Sequence, residues 1–284
     1  MTEVVAIGRY MGGKIVLASQ LLPFFPQAKT YYEGCMGFFT LGLNYPFPCD
    51  RVAYDLNPRT INLLRVIRDL PSQLVDSISN SPRDIDSLKA CWEVADDPME
   101  DARRYWWVAA STFNGGGSRW SSGITKARLK RCHDITAEHL WVVSERLQGV
   151  SIVQGDGLLA APQHDAPDTL FYLDPTYENS VRGSKDNRVK NPVKALTRNQ
   201  YAYETNQQDL LQVALELQGM VIVSGYPNSR YDDALKGWIT KDFQVLDSAR
   251  KPRIERIWIN PKAWGALRWK EFSHATQLKL ELVS

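Results

Sequence analysis

The chain has 284 residues, which at roughly 150 residues per domain suggests about two domains. Hydrophobic residues make up 44% and charged residues 23%, with 18 Gly and 15 Pro, so disordered, collagen-like and low-complexity chains are excluded and a sizeable core can form. The net charge of +2 is unevenly spread, with two strongly basic stretches in an otherwise acidic chain.

The apolar runs are too short to span a bilayer. The N-terminus starts Met-Thr-Glu and meets Arg9 after only four successive apolar residues, so no secretory signal is expected and a cytoplasmic location is. Cys35, Cys49, Cys91 and Cys132 lie far apart without a C-x-x-C pair, and the four histidines have no ligand spacing. Neither a disulfide framework nor a metal site is expected.

In chain order, Gly12-Gly13-Lys14 opens an apolar helical spacing (Ile15, Ala18, Leu22) that Pro23 and Pro26 close. Thr30–Glu33 and Arg51–Asp55 read as short strands. Asn57 is a helix cap with Pro58 at the first position, and Ile61, Leu64 and Ile67 share a face before Pro71. Leu170–Leu173 is an apolar strand ending at Asp174. Leu210, Val213, Ala214 and Leu217 mark a helix closed by Gly219, with the strand Met220–Ser224 directly after it. Arg253–Ile259 alternates as a further strand. The rhythm is α/β at both ends and breaks between about Ser72 and Gly149. The expectation is a parallel α/β core (1–71 and 150–284) interrupted by a mostly helical lobe (72–149).

The first basic stretch, Ala102 to His133, holds Arg103, Arg104, Arg119, Lys126, Arg128, Lys130 and Arg131 and no acid. Tyr105, Trp106, Trp107, Phe113 and Trp120 are interleaved with them. The second, Val181 to Arg198, holds six basic residues including Arg182 and Lys185 against Asp186 alone. This is the footprint of a phosphate-backbone binder, although solvated loops would read alike.

Three motifs carry chemistry. Asp174-Pro175-Thr176-Tyr177 ends an apolar strand, where open α/β sheets bind ligands. An Asp carboxylate and a Pro carbonyl can accept the two hydrogens of an exocyclic amino group, freeing its lone pair for a methyl donor. The following ring can stack on a base swung out of the duplex. Glu33-Gly34-Cys35-Met36-Gly37 runs from a strand into a turn, and Asp55 follows 22 residues after Glu33, the spacing at which an acid meets an adenosine ribose. No G-x-G-x-x-G is present, which disfavours a dinucleotide. Tyr10-Met11-Gly12-Gly13-Lys14 offers N–H groups and an ammonium for a carboxylate.

Together these segments, with Phe113-Asn114-Gly115 and Gly155-Asp156 in the same order, resemble the DNA adenine methylase family from about residue 9 to 260. The resemblance implies a Rossmann-like S-adenosylmethionine-dependent methyltransferase core with an inserted target-recognition lobe, and methylation of the adenine N6 amino group in duplex DNA. It places Tyr10, Gly12, Gly13 and Lys14 at the methionine end of S-adenosylmethionine. Glu33, Gly34 and Gly37 fall in the turn approaching it, with Asp55 on its ribose, Asp156 on its adenine and Asp174 close by. Asp174, Pro175, Thr176 and Tyr177 would hold the target base. Phe113, Asn114, Gly115, Arg119 and Trp120, with Arg104, Lys126, Arg128, Lys130, Arg131, Arg182 and Lys185, would face DNA. A cognate restriction enzyme is a further partner such a methylase can have.

Two positions depart from the family pattern. Phe39 stands where a glycine is usual, and Thr176 replaces the second proline of Asp-Pro-Pro-Tyr. A methylase of the cytosine N4 amino group shares this chemistry, and its target motif more often starts with Ser. A catalytically impaired methylase serving as a DNA-binding module is the other alternative. Cys49 lies ahead of the Asp55 strand and reads as a loop cysteine, not as a nucleophile.

Overall fold

Seven short segments rich in β-branched and aromatic residues form one sheet: β1 Thr30–Glu33, β2 Asp50–Asp55, β3 Val150–Gln154, β4 Thr169–Leu173, β5 Met220–Gly225, β6 Ile239–Leu246 and β7 Pro252–Ile259. In the computed structural model, residues 4–8, 13–81, 85–111, 136–175, 206–246 and 251–267 are described. The strand order is β3-β2-β1-β4-β5-β7-β6. Strands β1 to β5 are parallel, and β7 runs antiparallel to both β5 and β6. The order reverses between β1 and β4, which is the point where such sheets open a crevice at their carboxyl ends.

Alternation along the strands divides the core into two layers. Tyr31, Leu170, Tyr172, Ile222, Ile257 and Ile259 face one layer. Tyr32, Phe171, Leu173, Val221, Val223 and Trp258 face the other.

The expected cap at Asn57 is present. Its side chain accepts from the Arg59 backbone N–H at 3.0 Å, and Pro58 opens helix Pro58–Asp69. That helix buries Leu63, Leu64 and Ile67 completely. Pro71 does more than stop it, since it opens a second helix, Pro71–Ser79. The helix expected after Gly13 is short, Ala18–Leu21 followed by a 3-10 turn over Leu22–Phe24. Two prolines leave it no room.

Two described helices of the 72–149 stretch belong to the same core as the sheet. Pro98–Ser111 buries Ala102, Tyr105, Trp106, Trp107, Val108 and Ala109, and Thr136–Leu147 buries Leu140, Val143 and Leu147. A helix apolar around most of its circumference sits inside the packing. The Arg59 guanidinium, 2% exposed, meets Asp101 at 2.9 Å and lies 4.9 Å above the Tyr105 ring, locking Pro98–Ser111 onto Pro58–Asp69. Part of the stretch expected as a separate lobe is therefore core, and its section 112–135 lies outside the described residues.

Candidate active site

The period-two alternation that builds the first core layer also sends a row of polar groups to one side of the sheet at its carboxyl end. Glu33 follows Tyr31 on that face in β1, Asp174 lies just past Tyr172 in β4, and Ser224 follows Ile222 in β5. Lys14 reaches them from the segment before Ala18–Leu21, where its carbonyl accepts the first backbone N–H groups of that turn, from Leu17 and Ala18.

The Lys14 ammonium sits 2.7 Å from each oxygen of the Asp174 carboxylate. Ser224 donates its hydroxyl to Asp174 Oδ1 at 2.7 Å, and Tyr172 in turn donates to Ser224 Oγ at 2.9 Å. A further carboxylate, Glu255 on β7, approaches Lys14 Nζ to 3.1 Å. Burial works against the Lys14 charge, but Asp174 and Glu255 outweigh it and hold the ammonium well above the ordinary lysine range. Burial raises the Asp174 carboxyl; Lys14 opposes that shift and Glu255 adds to it. Glu33 is 3% exposed and accepts from the Tyr31 hydroxyl at 2.8 Å. Burial pushes it up to about 8 against that hydrogen bond.

The turn after β1 hangs on β2. Met36 N–H donates to the Tyr54 carbonyl at 3.0 Å, and Gly37 N–H donates to Asp55 Oδ2 at 2.9 Å. The other oxygen of Asp55 accepts from Asn57 N–H at 2.8 Å. Burial raises Asp55 to about 6, against these two bonds. Gly37 takes a left-handed φ of 48°, and Phe39 follows at φ 53° with its ring fully buried. Phe39 thus adopts a conformation that glycine favours. The close backbone approach at Gly34 is to the chain itself: a Cβ on Gly157 would lie 2.1 Å from the Gly34 carbonyl oxygen. Asp156 caps the short helix Gly157–Ala160, accepting from Leu158 and Leu159 N–H at 2.8 and 3.3 Å.

Of the expected site residues, Lys14, Glu33 and Asp174 are thus brought into one cluster. Asp55 and Asp156 stand at the ends of the adjacent strands β2 and β3, joined by a 3.0 Å hydrogen bond from Gly155 N–H to the Asp55 carbonyl. Pro175 follows Asp174, and Gly13 precedes Lys14. Tyr10, Gly12, Thr176 and Tyr177 lie outside the described residues. So do Phe113, Asn114, Gly115, Arg119, Trp120, Lys126, Arg128, Lys130, Arg131, Arg182 and Lys185.

Arg104 is described, and it pairs with Glu100 at 2.7 Å, as Arg103 does at 2.6 Å. Both guanidiniums hold Glu100 down to about 2. Tyr105, Trp106 and Trp107 are core residues, so their interleaving with these arginines is not the mark of a nucleic-acid surface.

Sequence reasoning missed Ser224, Glu255, Leu56 and Leu159. Glu255 shares strand parity with Ile257 and Ile259, an acid on a buried face, which was a legible signal. Leu56 (37% exposed) and Leu159 (77% exposed) are apolar side chains left in the open beside Asp55 and Asp156. Among the described residues no group of three or more His, Cys, Asp or Glu is arranged to hold a metal ion, and no helix is long and apolar enough to cross a membrane. No family model and no curated protein matches the chain.

Proposed function

We propose that the chain is an S-adenosylmethionine-dependent DNA methyltransferase acting on the N6 amino group of adenine. The observation that carries this reading is the Lys14–Asp174 contact. Residues 160 positions apart, each singled out from a different motif, meet at 2.7 Å beside the topological switch point of a Rossmann-like sheet.

The donor set fits the cofactor. Asp55 keeps a lone pair on each oxygen for a ribose diol, and exposed Leu56 and Leu159 offer apolar contact to a flat adenine ring. Lys14 and the buried carboxylates supply charges of both signs for the zwitterionic methionine end. Bound there, S-adenosylmethionine supplies an electrophilic methyl on a sulfonium.

Asp174 is held in one orientation by Lys14 and Ser224, so its carboxylate is preorganised to accept one amino hydrogen of the target base. The Pro175 carbonyl accepts the other. With both amino hydrogens held, the nitrogen would have its lone pair free of ring conjugation to take the methyl as the methyl–sulfonium bond breaks and leaves a neutral sulfide, and the Asp174 carboxylate would take the amino proton. The basic residues from Arg119 to Arg131 and the second basic stretch, Val181 to Arg198, supply the affinity for duplex DNA.

The test is single-turnover methyl transfer to duplex DNA with identification of the modified nucleoside. N6-methyladenine is the expected product of the wild-type chain. Asp174→Ala should abolish transfer and keep DNA binding, because phosphate contacts lie in other segments. N4-methylcytosine as product, or an active Asp174→Ala protein, refutes the assignment.

A further inference from the structure

Both oxygens of the Asp174 carboxylate face donors: the Lys14 ammonium lies 2.7 Å from each, and the Ser224 hydroxyl donates to Oδ1 at 2.7 Å. A hydroxyl carries one hydrogen. Ser224 commits its own to Asp174 and therefore meets Tyr172 as an acceptor, at 2.9 Å. Tyr172 and Ser224 are fully buried, where each bond of such a chain polarises the next. The order Tyr172 to Ser224 to Asp174 suits an ionised carboxylate. A proton added at Oδ1 would force Ser224 to turn its hydrogen away, and one added at the other oxygen would meet the ammonium. The Asp174 side chain is still 17% exposed and so remains open to a further donor.

We propose that Tyr172 and Ser224 are positioning residues acting through Asp174: their aligned hydroxyls keep its carboxylate ionised at neutral pH, able to accept the amino hydrogen of the target base. What Asp174 accepts rests on the methyltransferase reading, whereas its ionisation does not and can be read without substrate. Lys14 before the first helix, Glu33 on β1 and Glu255 on β7 also act on Asp174. Burial is the largest effect and opposes the ionised form, as Glu255 does, while Lys14 favours it. Exchanging one hydroxyl leaves these three side chains and the burial in place.

An NMR titration of the full chain, labelled with carbon-13 at the aspartate carboxyls, reads the pH midpoint of Asp174, with Asp174→Asn identifying its resonance. Ser224→Ala should raise the midpoint by about one pH unit, the size of a lost charge-assisted hydrogen bond. Tyr172→Phe should raise it by about 0.3 unit, because the bond it supports is weakened. Ser224→Thr keeps the hydroxyl and should stay within about 0.2 unit of wild type. The acid limb of single-turnover methyl transfer should move with the midpoint, whereas a merely structural role would lower the rate equally at every pH. Midpoints unchanged or lowered in Ser224→Ala overturn the proposal, and a shift in Ser224→Ala with none in Tyr172→Phe removes Tyr172 and overturns the chain. A Ser224→Thr midpoint as high as that of Ser224→Ala overturns it too; if Ser224→Thr does not fold, the other two variants still decide. A wild-type chain that transfers no methyl group while the midpoints shift overturns the methyltransferase reading and leaves the control of Asp174 ionisation standing.

Discussion

Glu33→Gln tests whether the floor of the site holds a proton at neutral pH. Glu33 is buried, accepts from the Tyr31 hydroxyl at 2.8 Å, and is raised to about 8 from its ordinary 4.5. A carboxyl raised on folding contributes stability that is fully present below the unfolded value and is lost as pH rises through the folded one. Between pH 4.5 and about 8 the unfolded chain has released this proton and the folded chain retains it, so stability falls with pH by ~1.4 kcal/mol per unit. From pH 5 to pH 8 that amounts to roughly 3–4 kcal/mol. Gln carries no proton to release, and its carbonyl can still accept from Tyr31. Urea unfolding of both proteins across this range should therefore show the variant gaining roughly 3–4 kcal/mol on wild type. Titrations of the other cluster groups largely cancel in the comparison. Two parallel stability curves, within about 1 kcal/mol of each other, would mean that Glu33 is already ionised in the folded chain and would refute the reasoning.

Further outcomes follow from other sites. Phe39→Ala should cost about 3–5 kcal/mol by emptying the ring's place beside Tyr31, whereas Phe39→Gly should cost about 1 kcal/mol less because it relieves the left-handed backbone at φ 53°. Urea midpoints check the order, and Gly falling below Ala would contradict it. Asp55→Ala should weaken S-adenosylmethionine binding by about 2–3 kcal/mol, as the ribose acceptor and the anchor of Gly37 N–H are lost together. Unchanged affinity in calorimetry would remove the ribose assignment. If the basic stretches meet phosphates, each of Arg119, Lys126 and Arg128 replaced by Ala should reduce the salt slope of DNA binding by about 0.9. Arg104→Ala should leave that slope nearly unchanged, because Glu100 already holds this guanidinium.

Much of the local structure was legible because its causes are local. Strands β1 and β7, the Asn57–Pro58 cap, and the helix of Leu210 to Leu217 running into β5 all follow from side-chain periodicity and terminus chemistry acting over a few residues. Strand β6 was missed because Ile239–Leu246 lies at the sheet edge and exposes alternate polar residues, which weakens its apolar signal. Glu33, Asp55 and Asp174 were also legible, each as an acid at the end of a strand pattern, whereas Glu255 lies within β7.

What the sequence could not decide is which groups meet. Lys14, Glu33, Asp174, Ser224 and Glu255 come together only because the strand order sets β1, β4, β5 and β7 side by side with their inward faces in register. The same limit applies to the Arg103–Trp107 segment. A count of charges and rings reads it as a binding surface, but packing against Pro58–Asp69 turns the rings inward and Glu100 claims the arginines. Composition records how many charged and apolar groups a segment carries. Whether each is exposed, buried or paired depends on neighbours distant in the chain, and only the tertiary structure supplies those.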